Sequence, residues 1–168
     1  MSDPGPQRIP VRRGFSVSYK GKTLLSMIDP VAQGERLVQG LSKIERTLYL
    51  CPSPLYGYGL ETLLGAMGPG SAALCVEADE QLLDLSLQAM RELLEKNSST
   101  LRLIRSGDPA LICGYIQKVW GRRRFRRLEV IRLSGGWRLF PGFYESLAET
   151  IRQDFATDWG NAMTLMKL

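Results

Sequence analysis

One stretch, Thr47 to Asp79, constrains this chain more than any other. It opens with Thr-Leu-Tyr-Leu-Cys and continues as Pro-Ser-Pro-Leu-Tyr-Gly-Tyr-Gly. An apolar helical pattern follows, stopped by Gly68-Pro69-Gly70, and then Ala-Ala-Leu-Cys-Val-Glu-Ala-Asp. Strand, glycine-containing turn, helix, second strand and an acidic residue at its end is the opening unit of nucleotide-binding α/β domains.

The rest of the chain repeats that alternation. Short apolar strands are expected at 47–51, 72–76, 101–104 and 128–133, and helices at about 59–67, 80–95, 109–119 and 143–168. Strands this short and continuously apolar belong in a parallel sheet covered on both faces. Right-handed crossovers then give an α/β, Rossmann-like parallel sheet of order 3-2-1-4 with helices on both faces. Ahead of it, Phe15, Val17 and Tyr19 alternate, Lys20-Gly21-Lys22 makes a turn, and 23–28 is apolar, which predicts an N-terminal β-hairpin. Asp29-Pro30 caps a helix expected over 31–44. The division by sequence is a disordered or extended tail (1–12), hairpin and helix (13–44), Rossmann-like domain (45–141) and a long C-terminal helix (142–168).

Composition removes several chemistries. There is no histidine, so Ser-His-Asp and Cys-His nucleophiles and His-based metal sites are excluded, and a general acid or base must be a carboxylate, Lys, Tyr or Cys. Three scattered cysteines, Cys51, Cys75 and Cys113, read as buried thiols. No apolar run approaches the roughly 18 residues that span a bilayer, and the polar, Pro-rich start lacks a signal-peptide core. The expected location is the cytoplasm, with no membrane partner. The net charge of +5 resides in five arginines at 122–127, interrupted by Phe125. A run of this kind is expected as a solvated loop between helix and strand, with nucleic acid a poor fit and a protein partner or anionic sugar nucleotide the other options.

Five residues form the candidate nucleotide pocket: Gly57, Gly59, Glu77, Asp79 and Asp108. Glycine lets backbone approach a phosphate at a helix N-terminus. Glu77 lies 20 residues after Gly57, the separation of a carboxylate that bonds ribose hydroxyls. Asp108, with Gly107, follows the third strand, where a nucleoside base commonly sits. The same residues also suit plain structural duties: a tight turn at Gly57 and Gly59, helix caps at Asp79 and Asp108. One ligand class compatible with the arrangement is S-adenosylmethionine, in a class I methyltransferase-like domain where positioning supplies most of the catalysis.

The last helix carries Phe143, Leu147, Ile151, Phe155, Trp159 and Met163, spaced four apart. Each such step drifts about 40° around the axis, so the stripe turns through about 200°. One flat surface cannot bury it all. The end, from Trp159 to Leu168, is expected to need a second surface, either a downstream domain, a protein partner or a second copy of the chain.

Gly14-Phe15-Ser16-Val17, Gly21-Lys22-Thr23-Leu24-Leu25-Ser26, Asp29-Pro30 and Glu35-Arg36 together resemble the N-terminal region of the motility-associated-factor (Maf) flagellin glycosyltransferase family. Arg132-Leu133-Ser134 and Asn161-Ala162-Met163-Thr164 are similar to that family as well. The resemblance implies a role in flagellin glycosylation, in which nonulosonic acid sugars pass from CMP-activated donors to serine or threonine. It implies that the catalytic part, related to 6-hydroxymethylpterin diphosphokinase-like domains, lies downstream. This chain would then be a non-catalytic scaffold or interaction domain, with a CMP-sugar as the ligand the family suggests. At the positions of the family's Gly-x-Gly-x-Gly turn stand Ser53, Leu55 and Gly57, so Leu55 brings a side chain to a place where backbone would face phosphate.

Overall fold

The computed structural model describes the backbone of residues 4–167 and the side chains of residues 4–160. Two sheets organise it. A parallel sheet of four strands, β4 (Thr47–Pro52), β5 (Ala72–Glu77), β6 (Leu101–Arg105) and β7 (Arg127–Val130), has the order β6-β5-β4-β7. A small antiparallel sheet contains β1 (Gln7–Pro10), β2 (Phe15–Tyr19) and β3 (Lys22–Thr23).

The small sheet differs from the expectation in two respects. Gln7–Pro10, placed by sequence in a tail, pairs in register with β2, from Gln7 opposite Ser18 to Pro10 opposite Phe15. Pairing with an adjacent strand gives these polar residues a place that their own hydrophobicity does not. The β2–β3 turn is Lys20 and Gly21, both with positive φ (49° and 75°), the geometry that matches the twist of a two-residue hairpin. β3 then lasts only two residues before the chain departs towards α1.

Helix α1 (Pro30–Gln39) is capped by Asp29, whose carboxylate accepts from the Ala32 N–H at 3.0 Å. It ends five residues short of the expected Ile44. Gly40 follows it, and the Lys43 ammonium donates to the carbonyls of Val38 (2.7 Å), Leu41 (2.9 Å) and Gln39 (3.3 Å), satisfying acceptors that the helix end exposes.

The strands bury both faces, and β4 shows how. Leu48 and Leu50 point to one side, where α4 (Pro109–Trp120) and α5 (Pro141–Lys167) supply Ile112, Ile116, Leu147, Ile151 and Phe155. Tyr49 and Cys51 point to the other, against Val38 of α1, Leu60 and Leu63 of α2 (Leu60–Ala66), and Met90 of α3 (Glu80–Lys96). Alternation with period two thus sorts a continuous apolar run into two cores. Cys51 and Cys75 are register partners on β4 and β5, and all three cysteines are buried free thiols.

The arginine run and Trp159 of α5 are both tied to neighbouring backbone. Arg46 donates to the carbonyls of Arg123 (2.6 Å) and Arg124 (3.1 Å), and Arg124 reaches the Gly70 carbonyl at 3.1 Å, so the arginine run is a fixed corner at the start of the strands. Trp159, half-buried, already has partners within the chain. Its indole N–H donates to the Phe125 carbonyl at 2.9 Å, and Arg126 and Arg46 lie over its ring at 4.4 and 5.0 Å. Met163, Leu165, Met166 and Leu168, also expected to need a second surface, lie outside the residues whose side chains are described. Among the described residues, no helix is long and apolar enough to cross a membrane.

Candidate functional site

The β4–α2 turn is tightly committed to the protein itself. Gly57 (φ 65°) and Gly59 (φ 101°) both occupy the left-handed region. A Cβ at Gly59 would stand 2.6 Å from the Gly34 carbonyl oxygen, and a Cβ at Gly34 would collide with the Tyr58 carbonyl. The glycines therefore allow α1 and the turn to touch backbone to backbone. A Cβ at Gly57 would press on Leu60 and Met90. Ser53 and Leu55 also adopt positive φ (51° and 55°), an uncommon state for residues with side chains.

Leu55 is fully buried. It packs with Val17, Tyr19, Leu24 and Leu25 of the N-terminal sheet region and with Leu82 and Leu85 of α3. The small sheet therefore sits over the C-terminal ends of β4 and β5, where an open α/β sheet normally receives its ligand. Tyr58 seals one margin: its hydroxyl accepts from the Phe15 N–H at 2.8 Å.

The carboxylates follow the same logic. Glu77 is fully buried, and its Oε2 accepts from the Ser86 hydroxyl at 2.6 Å. Burial raises its pKa to about 7; the hydroxyls of Ser86 and Ser53 and the Leu55 N–H oppose the shift, and Asp79 adds to it. The Ser53 hydroxyl and the Leu55 N–H face this carboxyl, but Glu77 Oε1 and Ser53 Oγ have no partner in good hydrogen-bond geometry. With the chain in this conformation, no ribose reaches Glu77. Asp79 caps α3, accepting from Gln81 and Leu82 N–H groups at 2.8 and 3.0 Å, and also accepts from the Tyr19 hydroxyl at 2.9 Å. Asp108 caps α4, accepting from the Ala110 N–H at 2.9 Å, and remains exposed. The structure thus places Glu77 and Asp79 beneath the small sheet, leaves Gly57 and Gly59 on a separate hollow of about 430 Å³ between α1, α2 and α3, and leaves Asp108 apart on the surface.

An open cleft lies beside this closed region. Its volume is about 710 Å³, and its walls come from both ends of the chain: the β3–α1 segment with Ser26 and Asp29, Gln33 and Arg36 of α1, and Arg132, Ser134, Trp137 and Arg138 after β7. Three contacts join the walls and floor. The Gly135 N–H donates to the Leu24 carbonyl at 2.6 Å, the Ser134 hydroxyl to the Ser53 carbonyl at 2.6 Å, and the Gly136 N–H to Ser134 Oγ at 3.0 Å. A short 3-10 turn, Gly136–Leu139, then presents Trp137 and Arg138.

The cleft is electropositive. Arg36, Arg132 and Arg138 form no ion pair among the described residues. Asp29, the one carboxylate in the lining, is held by Arg13 at 3.2 Å. Its pKa lies below the ordinary value, first because the Ala32 N–H bonds it and then because of Arg13. Arg132 and Arg138 lie 4.7 and 5.8 Å from the Trp137 ring centroid, which holds both guanidiniums beside the indole. By sequence, Arg36 and Arg132 stand out only within the family resemblance, and Trp137 and Arg138 not at all. The available signal was a cluster of Arg132, Trp137 and Arg138 just beyond a strand's C-terminal end, the end at which such sheets bind ligands.

Fold and site together define a mixed α/β protein with a parallel four-stranded sheet, a long C-terminal helix and an arginine-lined cleft. No known family model matches the chain. Over 162 residues, 96% of its length, it is 31% identical to an uncharacterized protein of Treponema pallidum (strain Nichols). The chain spans only 28% of that relative's length.

Proposed function

We propose that this chain is a Rossmann-like, non-catalytic module of a Maf-type flagellin glycosylation protein, acting as a scaffold or interaction domain within a longer polypeptide. One observation carries the reading. The segments that bear the resemblance, Ser26 with Asp29 and Arg36 on one side and Arg132-Leu133-Ser134 on the other, lie about a hundred residues apart in sequence yet line a single cleft. A motif kept only for local folding has no reason to converge in space with a distant one. The Treponema relative, of which this chain matches 28%, is consistent with a module inside a larger protein.

Deleting the gene in its native host and measuring intact flagellin mass tests the reading. The expected result is flagellin lacking its glycan mass, with the protein chain unchanged. Flagellin of unaltered mass in the deletion strain would overturn it.

A further inference from the structure

The arginine cleft has a chemistry that can be read without reference to any family. Arg36 projects from α1, Arg132 follows β7, and Arg138 stands on the 3-10 turn, so three separate elements deliver guanidinium groups to one cleft. Like charges gathered without counter-charges repel one another, and here the only lining carboxylate already serves Arg13. The arrangement is also held in place. Trp137 sits against two of the guanidiniums, and Gly135, hydrogen-bonded to Leu24, brings its backbone beside the Arg138 guanidinium: a Cβ on Gly135 would lie 3.8 Å from Arg138 Nη1.

We propose that this cleft binds a phosphate-bearing small molecule, with Arg36, Arg132 and Arg138 as its anion ligands. Geometry favours phosphate over carboxylate. One guanidinium satisfies a planar carboxylate by a bidentate pair, whereas guanidiniums arriving from three elements suit the several oxygens of a phosphate or diphosphate. Additional donors line the same wall. Ser26 Oγ accepts from the N–H groups of Ile28 (3.1 Å) and Asp29 (3.3 Å), and its own proton has no acceptor among the described residues. Gln33, one turn before Arg36, is exposed. The cleft exceeds a single phosphate, and its volume of about 710 Å³ is that of a typical small-molecule site. Leu37 and Ile28 on its rim, 44% and 83% exposed, offer an apolar margin for the rest of such a molecule. This inference rests on the cleft's geometry and stands whether or not the chain belongs to a glycosylation protein.

Calorimetric titration of the protein with inorganic pyrophosphate is the test, with citrate as a carboxylate comparator. The expected result is saturable pyrophosphate binding with Kd below about 1 mM at low salt, weakening as salt rises. Arg132→Gln and Arg36→Gln should each weaken it by about tenfold, while Arg122→Gln, at the opposite end of the strands, should leave it unchanged. Far-ultraviolet circular dichroism checks that each variant is folded, and Arg138→Gln supplies a third independent reading. Absence of saturation up to about 10 mM would overturn the proposal. So would equal loss in Arg122→Gln, which would mean diffuse charge, or citrate binding as tightly as pyrophosphate, which would mean the ligand class is wrong.

Discussion

The Tyr19 hydroxyl donates a 2.9 Å hydrogen bond to Oδ2 of Asp79, sixty residues further along the chain. That bond fastens the N-terminal sheet to the end of β5, while the other oxygen of Asp79 caps α3. A single carboxylate therefore starts a helix and holds down the cover of the sheet.

The pair can be measured by a double-mutant cycle. Tyr19→Phe removes one hydrogen bond but leaves Asp79 with Lys20 at 3.7 Å, so a loss of about 1 kcal/mol in urea denaturation is expected. Asp79→Ala removes the cap as well, and should cost about 2–3 kcal/mol. In the double variant the two losses should fall short of additivity by about 1 kcal/mol. Strict additivity would show that the bond does not couple the two elements.

Backbone contact between α1 and the glycine turn leads to a second expectation. Gly34→Ala places a methyl group against the Tyr58 carbonyl, and backbone on both sides cannot rotate away. A destabilisation of about 2–4 kcal/mol should follow. Gly65→Ala provides the contrast, because a Cβ there meets nothing within 4 Å and lies within α2. It should stabilise the protein by up to about 1 kcal/mol. Similar midpoints for the two variants would show that the close approach does not exist in solution.

Glu77 makes stability depend on pH in an identifiable direction. Its pKa rises on folding from 4.5 to about 7, so the folded state holds the proton more tightly than the unfolded state. Its contribution is fully present below pH 4.5 and is lost as pH climbs to about 7. Glu77→Gln, which cannot ionise, should gain on the native protein across that window, by up to about 3 kcal/mol at pH 8 relative to pH 4. Denaturation at the two pH values reads this directly. A difference between the proteins that does not change with pH would remove Glu77 as the cause.

Much of the architecture was legible because its causes are local. Short β-branched and leucine-rich strands alternating with capped helices call for a parallel sheet, and the order β6-β5-β4-β7 follows from right-handed crossovers. Asp29, Asp79 and Asp108 act as caps because an aspartate before a helical run can reach the free N–H groups two or three residues on. Less legible was the fate of the polar segment 7–10, since a strand that gains its place by pairing carries little hydrophobic signal of its own. Helix α1 ends before Ile44 because Gly40 caps it, and Lys43 then donates to the carbonyls freed at that end, a contact that the apolar face of 31–44 does not signal.

By itself, the sequence determined the four strands of the parallel sheet, their order, the helix caps and the exclusion of histidine chemistry, all of which depend on residues near one another or on composition. Only the tertiary structure decided what the glycine turn packs against and which arginines share a cleft. Both depend on long-range approach: the N-terminal sheet closing over Leu55 and Glu77, and Arg36 lining one cleft with Arg132 and Arg138. No local pattern encodes such meetings, because the hydrogen bonds and packing that enforce them join residues that are distant in sequence and become neighbours only when the fold is complete.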